Sequence, residues 1–197
     1  MKVALIGDSH TEIVFPALEE SISAEGYDIV VSKARRGWST KSHLNDDLEN
    51  LLKESNPDVV VFSLGGNNHI LNEEKYKAII DDALAAAKKA GVKKVFWVGP
   101  AAALEERTEY RHLWTTQFLK KNLPKSVSFI DSREFTTQGH APDGVHFKRS
   151  QYMIWADKVG QYLLKYKNIK EIILYASIGG IFISIPLLIL LFKRLKK

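Results

Sequence analysis

The chain has 197 residues, with 28 Lys and Arg against 23 Asp and Glu, no cysteine and 45% hydrophobic residues. Length and composition fit one globular domain and exclude a disordered, collagen-like or multi-span membrane protein, while the missing cysteines exclude a disulfide scaffold, a thiolate metal site and a cysteine nucleophile. Most of the +5 net charge sits in Lys193, Arg194, Lys196 and Lys197, so the body is near neutral and lacks the clustered cations of a nucleic-acid-binding surface.

In chain order, short β-branched runs alternate with helical patterns. Lys2 to Ile6 reads as a strand, followed by a helix opening at Pro16. Tyr27 to Ser32 is the second strand, with a helix from about Lys41; Asp58 to Leu64 is the third, with a helix from Glu73 to Ala90. Val95 to Gly99 and Val127 to Ile130 complete the strands, with helices over Glu109 to Leu123 and Lys148 to Lys167. Five β-α repeats predict a parallel sheet. The run Val59-Val60-Val61-Phe62 is apolar without alternation, as in strands covered by helices on both faces. The expected fold is an α/β, three-layer α/β/α sandwich with a five-stranded parallel sheet, flavodoxin-like, over residues 1–168.

The last element differs in kind. Ile172 to Phe192 holds 21 uncharged residues, mostly Ile, Leu and Phe. As a helix the run is about 31 Å long, the thickness of a bilayer core. A transmembrane helix over 172–192 and a basic tail over 193–197 are therefore expected, making the lipid bilayer a partner. The five-residue apolar run before Asp8 is too short for a signal-peptide core, so the expected localisation is a single-pass, C-terminally anchored membrane protein. Lys158, Lys165, Lys167 and Lys170 balance the basic tail across the span, which leaves the sidedness open and a virion or host membrane both admissible. Ala176, Gly180 and Ser184 recur every fourth residue, the spacing of a weak helix-mediated dimer face.

In an open parallel sheet, ligands gather at the carboxyl ends of the strands. The loops there read Gly7-Asp8-Ser9-His10, Arg35-Arg36-Gly37-Trp38 and Gly65-Gly66-Asn67-Asn68, joined by Asp143-Gly144-Val145-His146 before the last helix. A hydroxyl becomes a nucleophile when an imidazole takes its proton and a carboxylate orients that imidazole. Ser9, His146 and Asp143 are of those types. The Ser9 and Gly37 backbone N–H groups and the Asn67 amide are donors for a developing oxyanion. Each residue also has a plain reading: Ser9 as a helix cap, Gly37 and Gly65-Gly66 as turn glycines, and Asp143-Gly144 as a turn pair. The spacing of His140, Asp143 and His146 admits a metal site but lacks another strong ligand.

Gly-Asp-Ser after the first strand, a glycine after the second, Gly-x-Asn after the third and Asp-x-x-His before the last helix resemble the four blocks of the SGNH hydrolases, also called GDSL esterases and lipases. The resemblance covers about residues 1 to 165. It implies catalytic Ser9, His146 and Asp143, an oxyanion hole of Ser9, Gly37 and Asn67, and serine ester hydrolysis without metal or organic cofactor. The implied substrate is an ester, on an O-acetylated glycan or an acyl lipid. Two positions depart from the pattern: His10 stands where the family name has Leu, and Asn68 where the family usually has Asp. His10, Trp38, Asn68 and His69 are candidate walls of the substrate pocket. His43 and His112, like His69, read as solvent-facing, and Trp97 and Trp155 as core. The competing reading is a membrane-tethered structural or binding module, for example of a virion or envelope, on the same fold without catalysis.

Overall fold

The computed structural model describes residues 1–69 and 72–178, of which the side chains of 175–178 are left undescribed. The chain divides into two units, Met1–Val159 and Gly160–Lys197. In the first, β1 (Lys2–Gly7), β2 (Asp28–Ala34), β3 (Val59–Ser63), β4 (Lys94–Val98) and β5 (Val127–Ile130) form one parallel sheet in the order β2-β1-β3-β4-β5. The helices are α1 (Thr11–Ala24), α2 (Thr40–Asn45), α3 (Leu48–Ser55), α4 (Glu73–Lys89), α5 (Glu106–Asn122) and α6 (Arg149–Ile178), which starts in the first unit.

The non-alternating strands are explained by burial on both faces. Ala4, Ile6, Val60, Phe62 and Trp97 form one cluster with Leu48 and Leu52 of α3, Tyr76, Ile80 and Ala83 of α4, and Phe118 and Leu119 of α5. On the other parity Val3, Leu5, Val59, Val61 and Phe96 are equally buried, as are Val14, Leu18 and Ile22 of α1. Removing an apolar side chain of this size from water contributes roughly 1.5–3 kcal/mol. Trp97 and Trp155 are buried, as expected.

Two helices differ from the sequence reading. The first begins at Thr11, with Pro16 inside it, because the Asp8 carbonyl accepts the Thr11 and Glu12 N–H groups at 3.1 and 3.3 Å and the Thr11 hydroxyl at 2.8 Å. That carbonyl starts the turn before the proline, which then only forgoes its own N–H bond. The helix expected from Lys41 is two helices, α2 and α3, broken where Asp47 takes a left-handed backbone at φ 61°.

The chain runs outward from β1 to β2, then returns to the other side of β1 for β3. The crevice beyond the carboxyl ends of β1 and β3 is therefore the topological switch point, the place for a ligand in such a sheet. Among the described residues no helix is long and apolar enough to cross a membrane. The expected span 172–192, its small-residue face and the tail 193–197 lie largely outside the described residues, which end at 178.

Candidate active site

Four segments converge at the switch point. Gly7 ends β1 under the first turn of α1; a Cβ there would stand 1.9 Å from the Thr11 hydroxyl, so only glycine lets the chain turn so closely into the helix. Ser9 follows, half-buried. It does not cap α1, whose N-cap is His10 without a side-chain bond.

The facing loop is built by one carboxylate. Asp143 Oδ1 accepts the Val145 and His146 N–H groups at 2.9 and 2.8 Å, closing a tight turn. Ala141 N–H donates to the His146 carbonyl at 2.7 Å and Lys148 N–H to the Gly139 carbonyl at 2.8 Å, which fixes the base of the loop. The other oxygen, Oδ2, meets His146 Nδ1 at 2.7 Å, and His146 Nε2 lies 3.2 Å from Ser9 Oγ. The Val145 N–H, then the His146 imidazole and N–H, hold Asp143 down to about 2. An ionised carboxylate can only accept, so the neutral imidazole carries its proton on Nδ1 and turns the Nε2 lone pair to the serine. The three groups thus form a hydrogen-bonded relay in which Ser9 donates to His146 and His146 to Asp143.

The candidate oxyanion donors come from loops tied to each other. Asn67 donates one amide hydrogen to the Trp38 carbonyl at 3.1 Å, which orients the amide and links the loops after β2 and β3. Gly37 has φ 74°, a left-handed conformation that strains any residue with a Cβ. Among the described residues the Ser9 and Gly37 N–H groups have no intramolecular acceptor. Trp97 Nε1 donates to the Leu64 carbonyl at 3.1 Å and anchors the start of the third loop.

Two expected pocket residues are struts instead. Asn68, only 4% exposed, accepts the Thr40 N–H at 2.9 Å and donates to the Thr40 hydroxyl at 3.0 Å and the Tyr76 hydroxyl at 3.1 Å. An uncharged amide serves those contacts without burying a charge. His10, 7% exposed, lies behind His146 with ring centroids 5.0 Å apart, and Tyr152 bridges the Phe147 N–H at 3.3 Å to His10 Nδ1 at 3.2 Å. Burial, reinforced by the nearby His146 and His112, pushes His10 down to about 3, so it stays neutral beside the His146 ring. Trp38 is half-buried, with the Arg35 guanidinium 4.6 Å from its ring centroid and His43 against its edge. His69 is exposed and is bonded through Nδ1 to Arg111 Nη1.

Other histidines depart from expectation. His43 and His112 are buried, at 1% and 3% exposure, because each finds a backbone carbonyl: Gly7 at 2.9 Å and Ala101 at 2.8 Å. Burial pushes His43 down to about 4 and lowers His112 as well. His140 is committed to the Ala102 carbonyl at 3.0 Å. Among the described residues no group of three or more His, Asp or Glu is arranged to hold a metal ion.

Sequence reasoning passed over Asp8, Phe147 and Tyr152. Asp8 is 5% exposed, and among the described residues its carboxyl accepts one hydrogen bond, from the His10 N–H at 3.1 Å; burial pushes that carboxyl up to about 7 against the opposing pull of the bond and of His146. Its place between Gly7 and Ser9 was the available signal.

The fold is shared with solved structures. An acetyl esterase variant with acetate ion has 20% identity and a TM-score of 0.66, covering 87% of this chain and 99% of that chain. A family 3 carbohydrate esterase from Talaromyces cellulolyticus has 20% identity and a TM-score of 0.66, covering 84% and 97%. The C-terminal catalytic domain of peptidoglycan O-acetyltransferase A from Streptococcus pneumoniae, with a methylsulfonyl adduct, has 22% identity and a TM-score of 0.60, covering 85% and 94%. At such identities the likeness establishes the architecture: the five-stranded parallel sheet with flanking helices of the SGNH hydrolases. No functionally curated protein matches the sequence. Residues 2–162 match the family described as "Protein of unknown function (DUF459)", and the chain belongs to that family.

Proposed function

We propose that this protein is a serine ester hydrolase that removes acyl groups, acetyl foremost, from an O-acylated glycan or lipid. The observation that carries the reading is the relay itself, with Asp143 Oδ2 at 2.7 Å from His146 Nδ1 and His146 Nε2 at 3.2 Å from Ser9 Oγ. The solved structures that share the fold include an acetyl esterase and a carbohydrate esterase, which adds support.

Ser9 Oγ attacks the ester carbonyl carbon while its proton passes to His146 Nε2. The carbonyl oxygen takes the electron pair and meets the Ser9 and Gly37 N–H groups and the free hydrogen of the Asn67 amide. As the intermediate collapses, the C–O bond breaks and His146 returns the proton to the departing alcohol. Water then attacks the acyl-serine, gives a proton to His146 and releases the acid as Ser9 regains its hydrogen. Asp143 keeps the imidazole in the accepting tautomer and stabilises its cation. Loss of one oxyanion donor is expected to lower the rate by about 10² to 10³. The domain assignment belongs to the same proposal: a hydrolase body over 1–168, a membrane anchor over 172–192 and a basic tail over 193–197, holding the site near substrate at a bilayer.

The test is hydrolysis of an acyl-length series of chromogenic esters by the full chain and its Ser9→Ala variant, with fluorophosphonate labelling of Ser9. Turnover and labelling lost together in Ser9→Ala support the reading. A folded chain with neither overturns it. Membrane sedimentation resistant to carbonate, abolished by deleting 172–197, tests the anchor.

A further inference from the structure

Beside the relay lies a cavity of about 680 Å³ lined by His69, Glu105, Arg107, Tyr110 and Arg111. Two of its walls grow directly out of the candidate active site. The Leu104 and Glu105 N–H groups donate to the Gly144 carbonyl at 2.6 and 3.4 Å, so the Glu105 wall sits against the turn that carries Asp143 and His146. His69 follows Asn67 by two residues on the other wall.

The direction of the chemistry assigns the cavity to one part of an ester. The alcohol oxygen must receive its proton from His146, so the alcohol portion departs on the side of the His146 loop, where Glu105 begins the cavity. The acyl portion is directed by the carbonyl oxygen toward the donors of Ser9, Gly37 and Asn67.

The charges then describe what that alcohol carries. Arg111 spends Nη1 on His69 and Nη2 on the Thr108 hydroxyl at 2.9 Å, both neutral partners, and these bonds hold its guanidinium in place. Arg107 has no side-chain hydrogen bond or ion pair among the described residues. Among the described residues the one carboxylate of the lining is Glu105, which is turned to the start of α5, accepting the Arg107 and Thr108 N–H groups at 3.0 and 2.8 Å. Elsewhere several carboxylates meet cations, as in Arg133 with Glu109 or Lys93 with Asp58. Burial and the charges of Arg111 and Arg107 lower the His69 pKa, so His69 favours its neutral form. Two guanidinium forks against one committed carboxylate leave net positive charge, with the planar donor geometry that matches a carboxylate or a phosphate. Tyr110, 63% exposed, adds an aromatic surface of the kind that a sugar ring covers. The volume lies within the range of small-molecule sites.

We propose that this cavity is a subsite for an anionic group, a carboxylate or a phosphate, borne by the alcohol part of the ester, with Arg107 and Arg111 as its ligands. The assignment of alcohol to this side rests on the esterase reading; the affinity for the anion does not.

The experiment compares phenyl acetate, 3-acetoxybenzoate and 3-acetoxyphenyl phosphate as substrates of the full chain, its Arg107→Gln variant and a Lys125→Gln control remote from the site. Each enzyme is scored by its kcat/KM for the charged ester relative to the neutral one, which cancels intrinsic ester reactivity between enzymes. One charge-assisted hydrogen bond lost corresponds to a fall of about tenfold in that ratio for Arg107→Gln. Lys125→Gln leaves the ratio unchanged. Preference between the two charged esters identifies carboxylate or phosphate as the natural group. A ratio unaltered in Arg107→Gln, or lowered equally in Lys125→Gln, overturns the subsite. A parallel NMR titration of the Ser9→Ala chain with 3-hydroxybenzoate and phenyl phosphate separates the two readings. Saturable binding weakened by Arg107→Gln, together with no ester turnover by the wild-type chain, keeps the subsite and removes the esterase. The absence of saturable binding in the millimolar range removes the subsite whatever the hydrolysis shows.

Discussion

Replacing Asp8 by Asn should make the protein more stable, and by an amount that grows with pH. Asp8 is 5% exposed, its carboxyl is met by one N–H group among the described residues, and it stays protonated to about 7 against 3.8 for a free side chain. Above pH 4 the unfolded chain has released this proton while the native state still holds it. Stability contributed at Asp8 therefore falls as pH rises from about 4 to about 7 and is constant above. Three pKa units correspond to about 4 kcal/mol, taken as an order of magnitude. Wild-type stability alone does not display this trend. His10 and His43, held near 3 and 4 by burial, bind fewer protons native than unfolded and raise stability with pH up to about 6.5. The difference between Asp8→Asn and wild type isolates the carboxyl, since both share the histidines and Asn Oδ1 can still accept the His10 N–H. Urea unfolding followed by tryptophan fluorescence at intervals from pH 4 to 8 measures it. The expected difference is small at pH 4 and rises toward about 4 kcal/mol in favour of Asp8→Asn at pH 8. A difference that does not change with pH would refute the reasoning, whatever its sign, because a lost or gained contact is constant and an ionisation is not.

Asp143→Asn should retain the two backbone bonds through Oδ1 but present an N–H group to His146 Nδ1, forcing the proton onto Nε2; kcat on an acetyl ester is expected to fall by about 10³ to 10⁴ with little change in Tm. A loss under tenfold would contradict the tautomer assignment. Tyr152→Phe removes the hydroxyl between Phe147 N–H and His10 Nδ1 and should destabilise by about 1–3 kcal/mol in denaturant titration, the cost of an orphaned buried donor. Asn68→Ala should cost a similar amount, about 2 kcal/mol, because the Thr40 N–H loses its acceptor, and should lower kcat as the Asn67 loop loosens.

The central strands were legible because burial on both faces chooses their residues: Val59 to Phe62 is apolar without alternation and buried throughout. The relay was legible because Asp143 and His146 lie three residues apart and Ser9 stands two residues beyond the end of a strand. What escaped depends on partners distant along the chain. His43 is buried because the Gly7 carbonyl, 36 residues earlier, accepts its ring N–H; nothing local to α2 distinguishes it from a surface histidine. His10 looked like a pocket residue beside Ser9, but Tyr152, 142 residues on, draws it inward. The start of α1 was misplaced because Pro16 mimics a first-turn proline, while the Asp8 carbonyl that starts the helix leaves no mark in composition. Arg111 and His69 meet across 42 residues, a pairing set by the order of β3 and β4.

Asp143 and His146 share one turn, whose carboxylate builds the turn and orients the ring, while Ser9 lies 137 residues away on the other side of the crevice. The acid–base pair therefore moves as a single body, and the site has one joint at which it can come apart rather than two. Loosening of the loop separates His146 from Ser9 while the imidazole keeps its carboxylate. A weakened enzyme of this kind would show an imidazole of unchanged tautomer and a serine of reduced reactivity, so damage to the scaffold is distinguishable from damage to the chemistry.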